Sequence, residues 1–434
     1  MGLDRRLGSL TTICVGLGVA IGSGIFRTPG LVAERLPSAP LVLLAWLVGG
    51  AFALGASLVT AELATRCPQA GGEYVYLRAA YGDGVAFFFG WGYTIFIAGG
   101  GVAVVASALG EAISSAAGVA RPALFSGLLV VALAAVNCAG LLAGATLQNV
   151  LGVAKVFGLA VLAAVGLASG TEPFWGSLPA TRAQPLALAF VAALPPVLWS
   201  FEGATDSAKL AEEIEDVDRK LPRALVTSSL VLTAIYAAFN LACLGVLGPK
   251  DLAASSFPAE ALVENTLGGA GPRLLSALVI VTLAGAVSSS LLSTSRVTFA
   301  LARDGLAPRV LARVSRAQAP IPALIAIASL ALLFTQLRGF REGLGVYFLA
   351  SAVLFGLSYG SLFVFRARDA REAPRSGVFR CPAGRGVSAA LILIQLAVAA
   401  SIAVEDPRGA VGTAAVLVVA GLAYRWWIQP HGPR

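Results

Sequence analysis

The sequence predicts an all-α integral membrane protein with twelve transmembrane helices, the first and sixth broken at mid-membrane. Three observations lead there. The chain of 434 residues is 57% hydrophobic and 12% charged, with a mean hydropathy of +0.83, whereas a soluble domain carries about 25% charged residues. Apolar runs long enough to cross a bilayer, at ~20 residues each, follow one another along nearly the whole length. Two of these runs contain helix-weakening residues near their middles.

The runs lie near residues 9–36 (broken), 40–65, 84–110, 122–142, 145–169, 186–210 (broken), 223–247, 272–300, 321–338, 344–366, 386–404 and 409–428. The opening run leads into a second span with no clear cleavage site, so it reads as a span and not as a signal peptide. No polar stretch is long enough for a separate soluble domain. With an even number of spans both termini share a face. The loops of that face hold most of the basic residues, among them Arg66, Lys209, Lys220, Arg303 and Arg366. Basic loops stay inside, so both termini are expected in the cytoplasm and the protein in the cytoplasmic (inner) membrane. The net charge of +8 then reflects loops facing anionic lipid, and no nucleic acid is needed to explain it.

The first span contains Val15-Gly-Leu-Gly-Val-Ala-Ile-Gly-Ser-Gly-Ile-Phe26. Glycine is a poor helix former, so Gly22-Ser23-Gly24 is where the helix unwinds most easily. Lipid offers no hydrogen bonds, and unwound backbone at mid-membrane is tolerated only where protein buries it or it lines a cavity, as in secondary transporters. The sixth span reads Ala193-Leu-Pro-Pro-Val-Leu-Trp-Ser-Phe-Glu-Gly-Ala-Thr205. Pro195 and Pro196 kink its first half and Gly203 offers a second weak point. The two interruptions are five spans apart, and an odd number means opposite orientation. That is the pattern of an inverted five-plus-five repeat, with residues 1–169 and 186–366 as its halves and two further helices in 386–428, all in one transporter domain. The competing explanation is that these glycines only permit close helix packing.

Unwinding at Gly22-Ser23-Gly24 frees amides at the start of a half-helix, where the dipole favours a carboxylate. Carbonyls around Val19 to Ile21 and near Phe201 and Glu202 can receive an ammonium. A solute with both groups on one carbon, an α-amino acid, fits such a pair of breaks.

Single charged residues add detail. Lys155 lies about ten positions into span five, roughly 15 Å deep, where an ammonium is costly unless paired or solvated; the alternative is a snorkelling side chain. Glu202 is either a partner for a cationic side chain, a proton carrier, or a cap on freed amides. Glu62 is expected to pair with a loop arginine, and Asp206 to pair locally or take part in gating. Glu212 and Glu213 are expected to bridge to the Arg303–Arg316 loop. The five cysteines, Cys14, Cys67, Cys138, Cys243 and Cys381, show no metal-ligand spacing, and His431 is the lone histidine. No metal site, disulfide framework or cofactor is expected. The chain has no H-E-x-x-H and no P-loop, so neither an enzyme nor an ATP-driven pump is indicated.

Several motifs resemble the amino acid–polyamine–organocation (APC) superfamily. Ile21-Gly-Ser-Gly-Ile-Phe26 with Pro29-Gly30 is similar to its first helix. Ala61-Glu-Leu63 and Pro68-Gln-Ala-Gly-Gly-Glu-Tyr-Val-Tyr76 resemble its second helix and following loop. Phe201-Glu-Gly203, Ala211-Glu-Glu213 and Arg219-Lys-Leu-Pro-Arg-Ala224 resemble its sixth helix and the loop after it. Ser295-Arg296 and Ala302-Arg-Asp-Gly305 resemble the end of its eighth. The Gly-Gly-Glu-Tyr loop and span number are most like the L-type amino acid transporter branch and its bacterial relatives. The resemblance implies a LeuT-like fold and amino acid transport by alternating access. It implies that Gly22, Ser23 and Gly24 hold the substrate carboxylate. Ile21, Phe201 and Glu202 would supply carbonyls to the ammonium, and Trp199 and Phe201 would shape the pocket. Ile25 and Gly203 belong to the same two motifs.

Leu147-Gln-Asn-Val-Leu-Gly-Val-Ala-Lys155 resembles a segment in which sodium-independent relatives put a lysine where others bind a cation between spans one and eight. Its partners would be carbonyls of span one and hydroxyls near Ser288, Ser289 and Ser290. The expectation is a sodium-independent exchanger or proton-coupled symporter, with proton coupling through Lys155 as one option. Animal L-type members are disulfide-linked to a single-span glycoprotein through the loop between spans three and four. Residues 111–121 contain no cysteine, so no disulfide-linked heavy subunit is expected. Rival readings are a cationic amino acid or polyamine carrier, and a sensor that binds without translocating.

Overall fold

The computed structural model describes residues 3–172, 185–336, 344–372 and 375–405, together with 407 and 411. Apart from one isolated bridge between Leu7 and Ile214, the regular structure among these residues is helical. In chain order the α-helices are α1 (Ser9–Ala20), α2 (Gly24–Arg35), α3 (Ala39–Arg66), α4 (Glu73–Tyr81), α5 (Asp83–Gly92), α6 (Gly101–Ala117), α7 (Pro122–Cys138) and α8 (Leu141–Ser169). They continue with α9 (Leu186–Phe201), α10 (Val217–Ala254), α11 (Pro258–Leu267), α12 (Gly271–Arg303), α13 (Ile321–Gln336), α14 (Leu344–Arg368) and α15 (Gly384–Glu405). Seven described helices are long and apolar enough to cross a membrane, or eight when α1 and α2, which meet at a bend of 48°, count as one span. The expected span at 409–428 lies, but for one residue, outside the described residues, as do Trp426, Trp427 and His431.

Local chemistry sets most boundaries. Pro122 opens α7, where its missing N–H costs nothing. Gly118, in the left-handed region at φ 66°, closes α6. Gly140 at φ 147° turns the chain between α7 and α8, so the fifth span begins at Leu141, four residues earlier than expected, and Lys155 sits at the middle of the 29-residue α8. Gly248, at φ 71°, kinks α10 just before Pro249. Two short helices, α4 and α11, were not foreseen. Nor was the π-helical stretch Tyr93–Gly100 that joins α5 to α6.

α1 packs against α8, α10 and α12, and eight of its twelve residues are buried. A helix covered on nearly all sides has no polar face, which suits a helix held inside a bundle. Its neighbour α8 shows the opposite pattern. Gln148, Gly152, Lys155, Leu159 and Leu162 form a buried stripe at helical spacing, while Val150, Val153 and Phe157 are exposed. Trp46, Phe201 and Tyr236 interlock beside the second break. Tyr236 meets Trp46 at 5.6 Å and Phe201 at 5.0 Å between ring centroids, both edge-on. Each such pair adds about 0.5–1.5 kcal/mol beyond area burial.

Candidate functional site

The four glycines of the Val15–Phe26 motif do different work. A Cβ at Gly18 would overlap Gln148 Nε2 and Ser289 Oγ, and one at Gly16 would stand 2.9 Å from the Ala204 carbonyl. These two permit close packing. At Gly22 a Cβ would meet nothing within 4 Å, because this residue faces a cleft. Gly24, at the start of α2, abuts Ser200, whose Oγ would lie 3.1 Å from an added Cβ. The same motif thus contains both the packing that small residues allow and an open backbone position.

The carbonyls of α1 are taken up by side chains from three neighbours. Gln148 Nε2 on α8 donates to Cys14 O at 2.7 Å, Ser289 Oγ on α12 to Val15 O at 3.1 Å, and Ser228 Oγ on α10 to Ile13 O at 3.3 Å. At the break, where helix-end carbonyls lose their usual partners, Lys155 Nζ donates to Gly18 O at 2.6 Å and to Ile21 O at 3.1 Å. Lys155 is fully buried, which excludes snorkelling here. Its ammonium also lies against Gly285 of α12, 3.2 Å from where a Cβ would stand. Neither Ser288 nor Ser289 hydrogen-bonds it: Ser288 accepts from Asn137 Nδ2 at 3.2 Å, and Ser289 is committed to Val15. Tyr236 OH sits 3.1 Å from Ala20 O and 2.9 Å from Ser200 O, with one proton between two carbonyls. Val19 also lines the cleft.

Past Phe201 the chain turns tightly through residues 202–205 and continues as a 3-10 helix, Asp206–Glu213. Gly203, at φ 98°, makes this turn. A Cβ there would collide with Val19 Cγ1 and approach Ala20 N to 3.0 Å, so the turn rests directly on the first break. The turn closes on itself, with Glu202 N donating to Trp199 O at 3.1 Å and Ala204 N to Phe201 O at 3.2 Å. The Phe201 and Ile21 carbonyls, expected to face an ammonium, are therefore already engaged within the protein.

An open cleft of about 690 Å³, space continuous with its mouth included, brings together Gly22, Ser23, Gly24, Trp199, Glu202 and Gly203. Asp206 lines it as well. Ile21 and Ile25 do not reach it, since their side chains are fully buried, and Phe201 instead lines a second cleft on the other side of the 202–205 turn. Ser290 of α12, expected near Lys155, lines the first cleft instead, and residues not foreseen line it too, notably Tyr93 and Ile97 from the π-helical stretch, Thr294 from α12 and Phe355 from α14. π-Helical insertions are frequent at functional sites, but the apolar run 84–110 has no residue type that marks one.

With this geometry in place, comparison with known proteins gives a consistent answer. The amino acid permease family profile matches residues 7–423. This chain belongs to the amino acid permease family, within the APC superfamily. The permease is 28% identical to the serine/threonine exchanger SteT of Bacillus subtilis over 306 residues, 69% of each chain. It is 29% identical to the mouse b(0,+)-type amino acid transporter 1, over 84% of this chain and 76% of that one. An uncharacterized transporter of Mycobacterium tuberculosis is 31% identical over 87% of this chain and 85% of its own length. Among solved structures, a nucleobase-cation-symport-1 family transporter in a closed conformation with bromovinylhydantoin bound matches with a TM-score of 0.60 and 14% identity. The match covers 98% of this chain and 93% of that one, and it speaks for the fold alone. These relatives are transporters. One catalytic pattern does occur in the permease, Gly356-Leu-Ser-Tyr-Gly360, reading G-x-S-x-G. It lies inside α14, whereas a nucleophile elbow needs a strand-to-helix turn.

Several charged residues tie elements together at the helix ends and loops. Glu62, fully buried, receives Arg66 at 2.8 Å and Arg366 at 2.6 Å, and the Cys381 amide at 2.8 Å. It lines neither cleft. Arg66 also reaches Asp369 at 2.7 Å. That hydrogen bond holds the Asp369 carboxyl below the usual carboxylate range. Glu213 pairs with Arg296 through two contacts, of 2.8 and 2.9 Å, and Glu212 with Arg303 at 2.7 Å. Asp206 pairs locally with Lys209 and accepts from Ser293 Oγ at 2.7 Å. All five cysteines are free thiols. Among the described residues no group of three His, Cys, Asp or Glu side chains gathers as a metal site.

Proposed function

We propose that the permease is a sodium-independent secondary transporter of α-amino acids that works by alternating access, as an exchanger or a proton-coupled symporter. The observation that carries this reading is the buried Lys155 ammonium on the Gly18 and Ile21 carbonyls. It places a tethered positive charge and its donors where a free cation would otherwise stabilise the broken span. The open backbone at Gly22 and the amides at Ser23 and Gly24 then face the carboxylate of the substrate, favoured by the α2 dipole, while the Gly22 amide itself donates to the Ala20 carbonyl at 3.0 Å; the Val19 carbonyl faces the ammonium. Trp199, Glu202 and Gly203 complete the wall. Ile21 acts through its carbonyl on Lys155. Ile25, Phe201 and Ser288 support the site from behind, and Ser289 does so by holding α1. Glu62 and Asp206 serve the cytoplasmic side, Glu62 as an anchor and Asp206 at the cleft.

The same reading includes twelve spans in a LeuT-like arrangement. The halves are 1–169 and 186–366, spans one and six are discontinuous, a pair of helices follows in 386–428, and both termini are cytoplasmic. No disulfide-linked subunit is required. Uptake of amino acids into proteoliposomes tests it directly. Uptake persists when choline replaces sodium; its loss in choline would refute sodium independence.

A second reading has its own support. Two carboxylates, Glu202 and Asp206, line the cleft, which favours a cationic amino acid or polyamine as cargo. Competition of labelled L-threonine by L-arginine and by putrescine separates the two readings. The kinship with a serine/threonine exchanger favours small neutral cargo.

A further inference from the structure

Beside the cleft lies a charge cluster that the transport reading does not use. Lys209 is fully buried and ion-pairs with Asp206, and its Nζ stands 3.6 Å from Glu73 Oε2. That second approach is too long for a hydrogen bond. Glu73 is 3% exposed, yet its Oε2 has no hydrogen-bond partner among the described residues. The Tyr76 hydroxyl, equally buried and unpartnered, lies within electrostatic reach of Glu73 and Lys209. Tyr93 covers Lys209 with its ring at 5.2 Å. The remaining titratable groups that act on the cluster are Cys67, Glu202 and Tyr359, so Lys209 is its one positive charge among the described residues.

Two carboxylates and one ammonium leave a surplus negative charge in a buried site. A buried uncompensated charge costs several kcal/mol, and a proton removes it. Asp206 holds Lys209 tightly and Glu73 holds it loosely, which singles out Glu73 as the group left over.

We propose that Glu73 is a proton-binding site and that Lys209 links its proton, through Asp206, to occupancy of the cleft. With the cleft empty, Glu73 is protonated and Lys209 is committed to Asp206. Asp206 also lines the cleft. A ligand ammonium that reaches Asp206 competes with Lys209 for it. Lys209 then turns to Glu73, the Glu73 O–H bond breaks, its electron pair stays on the carboxylate, and the proton leaves to water. One positive charge enters and one leaves. Burial holds the Glu73 carboxyl above its ordinary range, in keeping with a proton retained there. The linkage to ligand rests on the exchanger form of the transport reading above, since a ligand that expels the proton is not carried with it; the proton site itself does not.

Infrared titration of the full chain in lipid tests the site without any substrate. The expected result is a carboxylic acid carbonyl band that outlasts the ordinary carboxylate range as pH rises, fades only above it, and is missing from Glu73→Gln. A band that persists in Glu73→Gln, or no such band, overturns the proposal. Counterflow with L-threonine and with L-arginine tests the linkage. Apparent affinity falls by up to ~tenfold per pH unit of acidification in the wild type and is flat in Glu73→Gln. If the band behaves as expected but neither amino acid is transported, the proton site stands and the transport reading fails. If transport is robust, pH-independent and without the band, the reverse holds. Should Glu73→Gln not fold, weakly buffered wild-type protein decides the linkage: adding a ligand that binds releases about one proton per ligand, and binding without release overturns it.

Discussion

At the scale of single residues, identical glycines have unlike consequences. Gly22 borders open space and takes no strained backbone angle, so Gly22→Ala folds normally. Its methyl enters the cleft and raises the half-saturation concentration about tenfold, as ~1.4 kcal/mol of lost binding would; counterflow kinetics beside a thermal-unfolding curve check this. Gly203→Ala behaves in the opposite way. Its positive φ and the collision with Val19 cost about 2–4 kcal/mol, seen as a lower melting temperature and poor yield of folded protein. The sequence made the glycine-rich motif and its partner motif legible, because lipid forbids unwound backbone without a reason. It did not distinguish Gly18 from Gly22. What separates them is Gln148 and Ser289 on one side and empty space on the other, and those neighbours are remote in the chain.

At the scale of elements, the two breaks are stitched together by one side chain from α10. Tyr236→Phe leaves the Ala20 and Ser200 carbonyls buried without that donor. The expected loss is about 1–3 kcal/mol, readable as a drop in melting temperature in detergent with expression retained. Lys155→Ala strips the donor from Gly18 and Ile21 at the first break, and the expected outcome is loss of amino acid uptake in proteoliposomes, with choline or sodium alike. Depth in the apolar run and the local motif were enough to single out Lys155. The buried stripe Gln148, Gly152, Lys155 and Leu159 explains why its side chain turns inward. The π-helical stretch was not legible, since Tyr93–Gly100 is as apolar as an ordinary helix, and so Tyr93 and Ile97 were missed as lining residues. The expected Lys155–serine contacts also differ from what is found. Ser288 lies on the side of α12 that meets Asn137, and it is Gly285, one turn earlier, that makes room for the ammonium.

At the scale of the whole molecule, elements far apart in sequence are joined by ion pairs among Glu62, Arg66, Arg366 and Asp369. The Asp369 carboxyl titrates lower in the folded protein than in the unfolded chain. Its stabilising contribution is therefore fully present above the unfolded value of about 3.9 and is lost as pH falls through the lower folded value. Melting temperatures of wild type and Asp369→Asn should differ at neutral pH, and the gap should close once the pH falls below the lowered folded value; a gap that stays constant as the solution is acidified would show that the ionised carboxylate is not what stabilises. Composition alone revealed the membrane class, and loop charge suggested an orientation, but which loop charges meet depends on how the bundle closes. One consequence of Lys155 reaches beyond stability. A positive charge fastened to the scaffold by its own carbon chain never departs with the cargo, so it contributes nothing to current across the bilayer. In the sodium-independent cycle proposed above, the net charge moved per turnover therefore comes from the solute itself or from a mobile proton.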